Sequence, residues 1–232
     1  MTVVTFYQSH EAASLFVEEP KPASKTLPEW YKTQSGSLGE FGSTIKRCMP
    51  VFDAMTAGYI LSLPCDIYVD ATNPEKLTYF IPPDGLENLQ EDLFYEHHPM
   101  QLSNYPRNKA HHKQVLRIDP FYAVGTKKGY SCMFVQPTHQ DSTPLQLFPA
   151  VVDTDSFIAH GFYSFYVEAG FRGIIKQGTP LVQVIPFKRE SFSSKIVGFE
   201  SAKTLLRNQG AKLRSTFLGG YKNKFRELKK YK

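Results

Sequence analysis

Proline and glycine interrupt this chain so often that long helices are disfavoured over most of its length. Sixteen Pro and fifteen Gly are spread through 232 residues. Each proline removes a backbone donor and each glycine loosens the chain, so the elements between them must be short. Eighteen Phe and thirteen Tyr fill those segments, and such side chains pack best across neighbouring strands. The expectation is a mainly β fold: a single antiparallel β-sandwich or jelly-roll-like domain with short helical insertions and a helical C-terminus. Apolar residues at 41% are enough for a core of that size.

Along the chain, residues 3–7 read as an edge strand, and Pro20, Pro22 and Pro28 break the region that follows. Trp30 and Tyr31 are expected to pin that connection to the body. Met49, Phe52 and Met55 share a helical face with Pro50 in its first turn, and Gly58 ends it. YILSLPCDIYVD and LTYFIPP read as strands. Leu86, Leu89 and Leu93 have helical spacing up to Pro99. Residues 101–114 have no clear period. VLRIDPFYAVGTKKGYSCMFVQP predicts two strands meeting at a turn over Gly125–Gly129, and FYSFYVE a strand with aromatics on both faces.

The formal charge of +5 is unevenly placed. Residues 203–232 carry ten Lys or Arg and one Glu, a net of +9, so the other 202 residues sum to −4. The chain therefore divides into a β-rich domain, residues 1–190, and a basic helical extension, 191–232, expected to form two amphipathic helices separated by Gly219–Gly220. Lys222, Lys224, Arg226, Lys229 and Lys230 are the interaction candidates there. A basic extension on a mildly acidic body suits a protein partner or self-association. Nucleic acid is a second candidate, with phosphates meeting the cations and Phe217, Tyr221, Phe225 or Tyr231 packing on bases. A solubilising tail is the plainest alternative.

No apolar run is long enough to cross a membrane, and the N-terminal residues lack the pattern of an export signal. Three scattered cysteines fit a reducing compartment. The phosphate-loop, dinucleotide, zincin and esterase signatures are missing. Cys132 lies in an apolar strand and is expected to be buried, and Cys48 follows Lys46 and Arg47.

Two sets of residues are candidates for chemistry. Asp153 and Asp155 stand two apart, which on a strand puts both carboxylates on one face, suited to catalysis with a divalent metal or to water activation. The alternative is a strand-end turn in which an Asp accepts backbone N–H groups. The pairs His97–His98 and His111–His112 could contribute one imidazole each to a metal centre. Further ligands are available at His139, Asp141 and His160. His139-Gln140-Asp141 has the spacing of a two-histidine, one-carboxylate iron site. The cofactor expectation is none or a divalent metal.

The run Val151-Val152-Asp153-Thr154-Asp155, with Phe171-Arg172-Gly173 and the strand from Gly178 to Gln183, resembles the late core of the dUTPase and dCTP-deaminase family. That family combines an Ile-Asp turn, an aromatic-Arg-Gly step and a Gly-Asp-x-x-x-Gln strand. The resemblance implies a sugar-contacting role for Asp153 and equates Gln183 with the strand glutamine. Here Phe171 follows Asp153 by eighteen residues rather than immediately, and Thr179 replaces the aspartate after the glycine. The family's glycine-rich tail is absent.

A broader stretch, IKRCMPVFDAMTAGYILSLP with KGYSCMFVQP, PLQLFPAVVDTDSF and GTPLVQVIPFKRE, resembles an uncharacterised family of tailed phages and some bacteria. It implies a phage or bacterial origin and a place in the host cytoplasm during infection or in the virion. The leading expectation is a phage protein making protein–protein contacts, as a virion or host-interaction component. The alternative is a nucleotide- or metal-dependent enzyme centred on Asp153, Asp155 and nearby histidines.

Overall fold

A computed structural model describes residues 3–11, 17–83, 86–104, 106, 108–140, 143–159, 163–215 and 219–232. The chain enters with strand β1 (Val4–Gln8), a short β2 (Lys21–Pro22) and helices α1 (Glu29–Thr33) and α2 (Met49–Met55). Strands β3 (Tyr59–Ser62), β4 (Ile67–Asp70) and β5 (Thr78–Phe80) follow, then helix α3 (Gln90–Leu93) and β6 (Phe94–Glu96). The middle of the chain supplies β7 (His111–Ile118), β8 (Tyr122–Thr126), β9 (Tyr130–Val135), β10 (Leu145–Leu147) and β11 (Ala150–Val152). Strands β12 (Tyr163–Glu168), β13 (Arg172–Ile175) and β14 (Pro180–Lys188) complete the β structure, before helices α4 (Phe199–Arg214) and α5 (Gly220–Lys224).

These strands pair in four antiparallel sheets, ordered β11-β9-β14-β3-β2, β10-β12-β7-β6, β13-β4-β5 and β1-β8. Neighbours in space are rarely neighbours in sequence: β14 lies between β9 and β3. The fold is thus mainly β and antiparallel, with few helices inserted and a helix near the C-terminus, as the punctuation of the sequence predicts.

One core joins the sheets. Ile67 and Val69 of β4, Leu116 and Ile118 of β7, Val124 of β8, Phe134 of β9, Phe165 and Val167 of β12, and Val182 and Val184 of β14 all meet in it. Removing a side chain such as Phe165 from water contributes about 2–3 kcal/mol. The aromatic doubling of FYSFYVE has a structural cause. Phe165 and Val167 point into the core, while Tyr166 on the other face stacks on His111 at 4.7 Å and packs against Phe148.

Helix α2 sits where the sequence places it, with Pro50 in its first turn. Gly58 then takes φ +70, with its α-carbon pressed against the β14 backbone, so that an added Cβ would lie 1.9 Å from the Val184 carbonyl oxygen. Only glycine meets both demands.

The structure departs from expectation in several elements. The leucine-spaced segment forms one 3-10 turn and the single turn α3. It then extends as β6, because Phe94 pairs with Ile118. Residues 111–114, the end of the stretch without clear period, open the long strand β7, which the expected strand residues 115–118 complete. The strands flanking Gly129 do not pair with each other, since β8 is taken by β1 and β9 by β11 and β14. The second C-terminal helix stops at Lys224. None of the described helices is long and apolar enough to cross a membrane.

Candidate functional site

Strand β11 ends at Val152, so Asp153 and Asp155 lie beyond it, in a turn. The N–H groups of Ser156 and Phe157 both donate to the Asp153 carbonyl oxygen. The two carboxylates nevertheless converge, and what they converge on is Arg189, the residue after β14. The guanidinium donates to both oxygens of Asp155, with Nη1 to Oδ1 at 2.7 Å, and Nη1 lies 3.2 Å from Asp153 Oδ1. The N–H of Gly129 donates to Asp155 Oδ2 at 2.7 Å, and the Ser156 hydroxyl to Oδ1 at 3.1 Å. Asp153 also accepts from the Ser131 hydroxyl at 2.7 Å.

Asp155 is therefore saturated: four donors occupy its two oxygens, and its side chain is only 3% exposed. The Arg189 hydrogen bonds, then the Gly129 N–H, hold its carboxyl well below the ordinary carboxylate range, and Arg189 is raised in turn. The Asp153 side chain is 64% exposed. A clamped, ionised Asp155 ties β11, the 129 turn and the end of β14 together. Asp153 is the member of the pair with an oxygen open to solvent.

The histidines answer to different neighbours. His97 Nε2 lies 2.7 Å from the Ser164 hydroxyl. The His98 ring accepts from the Met100 N–H and caps the 3-10 turn Pro99–Leu102. His111 stacks on Tyr166. His112 is buried, accepting the Gln114 N–H on Nδ1 while Nε2 lies 2.8 Å from the Asn73 carbonyl oxygen. That arrangement fixes a neutral imidazole protonated at Nε2, with no lone pair left for a metal. His139 adopts φ +59, and its carbonyl oxygen accepts from the Trp30 indole at 2.9 Å. Trp30 thus pins the N-terminal connection as expected. Asp141 and His160 lie outside the described residues. Among the described residues no three His, Cys, Asp or Glu side chains gather as a metal centre. The proposed clustering of His98, His111, His112 and His139 with the carboxylates is therefore not formed by them. The Cys132 thiol is buried and pushed up by that burial.

The basic extension folds back on the body. Arg226 is bonded to Asp53 of α2, with Nη2 to Oδ1 at 2.6 Å, and lies 5.5 Å from the Phe52 ring centre. Lys229 reaches the same carboxylate at 3.4 Å. These contacts lower the Asp53 carboxyl from its usual range, with the Arg226 hydrogen bonds as the main cause. The Tyr59 hydroxyl donates to the Lys232 carbonyl oxygen at 3.1 Å. Lys222, Lys224 and Lys230 make no such contact among the described residues. Phe217 lies outside them.

No family model and no curated protein matches the chain. Among solved structures it is similar to the dUTPase of phage phi11 of S. aureus at 12% identity, with 85% of this chain and 98% of that one covered and a TM-score of 0.39. Two structures of the Staphylococcus bacteriophage 80alpha dUTPase are similar at 9% and 10% identity, covering 85% of this chain and 97% and 89% of theirs, with TM-scores of 0.37 and 0.38. They are members of the family that the run from Val151 to Gln183 resembles. At this level the likeness carries nothing about chemistry.

The residues equated with that family have the following partners here. Arg172 pairs with Asp70 of β4 at 2.7 Å, whereas Asp153 answers to Ser131 and Arg189. Gln183 is fully buried in β14. Its oxygen accepts from the N–H and hydroxyl of Thr138, and its nitrogen donates to the Ala54 and Ala57 carbonyl oxygens. Sequence reading missed Arg189. An arginine just past the apolar strand GTPLVQVIPF looks like a solvated strand end, and only the pairing of β14 with β9 brings it over the aspartates.

Proposed function

We propose that this chain is a non-enzymatic phage protein that works through protein–protein contact, with a second copy of itself as the partner and its C-terminal arm as the docking element. The observation that carries this reading is the apolar exposure of that arm. Phe192 is 86% exposed and Ile196 97%, and Val197, Phe199, Leu205 and Leu206 are exposed beside them. Residues 190–198 form neither helix nor strand, and α4 buries none of its side chains. A run of uncovered apolar side chains of this length marks an interaction segment.

Two features favour a second copy. The arm, residues 191–232, carries a net charge of +9, while residues 1–190 sum to −4, so one copy's tail is complementary to another's body. The body also carries exposed apolar side chains of its own. Met133 and Val151 are direct cross-strand partners on β9 and β11, and both are exposed. On this reading the body of residues 1–190 is a scaffold and 191–232 is the contact-making extension. The phage setting rests on the sequence resemblance, and virion and host-interaction roles both fit it. The enzyme reading is less well supported, because Asp155 has no free lone pair and the described histidines stand apart.

Sedimentation and light scattering of the full chain test the reading. The expected result is an oligomer at micromolar concentration that becomes monomeric when Phe192, Ile196 and Phe199 are all changed to serine, with the melting of the body unchanged. A wild-type chain that is monomeric throughout would overturn the proposal.

A further inference from the structure

The return of the tail creates a groove. At Gly219 the backbone takes φ +70, and Gly220 packs so tightly that an added Cβ would lie 2.2 Å from the Leu213 carbonyl oxygen. With Arg226 held by Asp53, α5 stands across from the 3-10 turn Ile45–Arg47 of the body. The space between them is about 610 Å³. Lys46, Arg47 and Met49 line one wall, and Gly220, Tyr221 and Lys222 line the other.

Three cations and no carboxylate line this groove. The Lys46 ammonium donates to the Lys32 carbonyl oxygen and lies 5.8 Å from the Tyr31 ring centre, with no carboxylate paired to it among the described residues. The side chains of Arg47 and Lys222 make no hydrogen bond or ion pair among the described residues. Asp53, the nearby acid of α2, is already occupied by Arg226 and Lys229. Like charges facing each other across a concave surface raise the local potential and concentrate anions there. Lys224, two residues past Lys222 in the chain, is exposed as well, and Lys230 is exposed at a separate cavity with Tyr59 and Tyr130. Tyr221, 40% exposed, presents a ring at its edge.

We propose that this groove binds the phosphate backbone of single-stranded nucleic acid, without reading its bases. An extended polyanion satisfies the groove and Lys224 beyond it together, which a single small anion cannot do, and an exposed tyrosine offers a sequence-tolerant stacking surface. The site is distinct from the exposed apolar residues between Phe192 and Leu206.

The test is fluorescence anisotropy of a short labelled single-stranded DNA with the full chain, across about 50 to 200 mM salt. Contacts from Lys46, Arg47 and Lys222 predict a slope of log affinity against log salt of about −2, at roughly −0.7 per phosphate contact. The double variant Arg47→Glu with Lys222→Glu should weaken binding by on the order of tenfold at the lower salt and flatten the slope. Neither side chain supports the fold, and matching melting curves would verify that. The charge-matched control, Lys109→Glu with Lys128→Glu, should bind as wild type does. Absence of binding at the lower salt, or equal loss in both double variants, would overturn the proposal. So would binding of phosphatidylserine vesicles in place of the DNA.

Discussion

Thr138 supplies both hydrogen bonds that the Gln183 side-chain oxygen Oε1 accepts, one from its N–H at 2.9 Å and one from its hydroxyl at 2.8 Å. The Gln183 amide nitrogen in turn donates to Ala54 at 2.9 Å and Ala57 at 2.7 Å. One side chain on the central strand therefore fastens the end of α2 and the loop after β9. Gln183→Ala would strand these groups in a buried site and leave a cavity, at a cost of about 3 kcal/mol. Gln183→Glu should cost at least as much, because a carboxylate would face two carbonyl oxygens. Urea unfolding measures both, and a loss under about 1 kcal/mol for the alanine variant would contradict the assignment.

The Arg189 clamp predicts a pH signature. The folded-state pKa of Asp155 lies well below its ordinary value. The unfolded chain therefore binds more protons than the folded one once pH falls to about 4. The stabilisation is complete above that value and is lost as pH falls toward the folded pKa. Asp155→Asn lacks this titration. The gap in melting temperature between wild type and Asp155→Asn should stay constant from neutral pH to about 5 and narrow below about 4. A gap that holds constant to about pH 2.5 would show that the clamp does not titrate as described.

Two glycines with similar backbone angles should respond differently to alanine. Gly58 has φ +70 with the Val184 carbonyl oxygen where a Cβ would be, whereas Gly129 has φ +86 and open space around it. Gly129→Ala should cost only the left-handed backbone penalty, about 1–2 kcal/mol. Gly58→Ala must also displace β14 and should fail to fold or lose several times as much. Equal melting temperatures for the two variants would show that β14 yields freely at Val184.

These positions indicate what was legible in the sequence. The fold class follows from local chemistry: frequent Pro and Gly, aromatic segments, and Pro50 and Gly58 framing α2. Non-local pairing was not legible. Phe94 becomes a strand residue because Ile118 lies beside it, and its own segment carries a helical spacing instead. The candidate site suffers the same limit. Asp153 and Asp155 are visible as a pair, but Arg189 lies thirty-four residues beyond Asp155 in sequence. It reaches them only through the β14–β9 ladder, and with it the pair changes from an open carboxylate site to a clamp. His112 likewise looks like a ligand until Asn73 and Gln114 claim its two nitrogens.

Arg226 is the residue that holds the tail against the body. Its side chain and that of Asp53 are both largely shielded, and its guanidinium also packs over Phe52. Removing it leaves Asp53 with Lys229 at 3.4 Å as its remaining ion-pair partner. A poorly compensated carboxylate in a shielded position disfavours the docked tail. In Arg226→Ala, backbone amides of 220–226 should therefore exchange much faster, while those of β3, β9 and β14 keep their protection. Hydrogen exchange read by mass spectrometry separates the two regions in one measurement. Because Lys222 faces Lys46 and Arg47 only while the tail is docked, this variant should also lose part of its affinity for single-stranded DNA, although its own side chain does not line the groove. Unchanged exchange over 220–226 would assign the anchor instead to the contacts of Tyr59 with Tyr231 and Lys232.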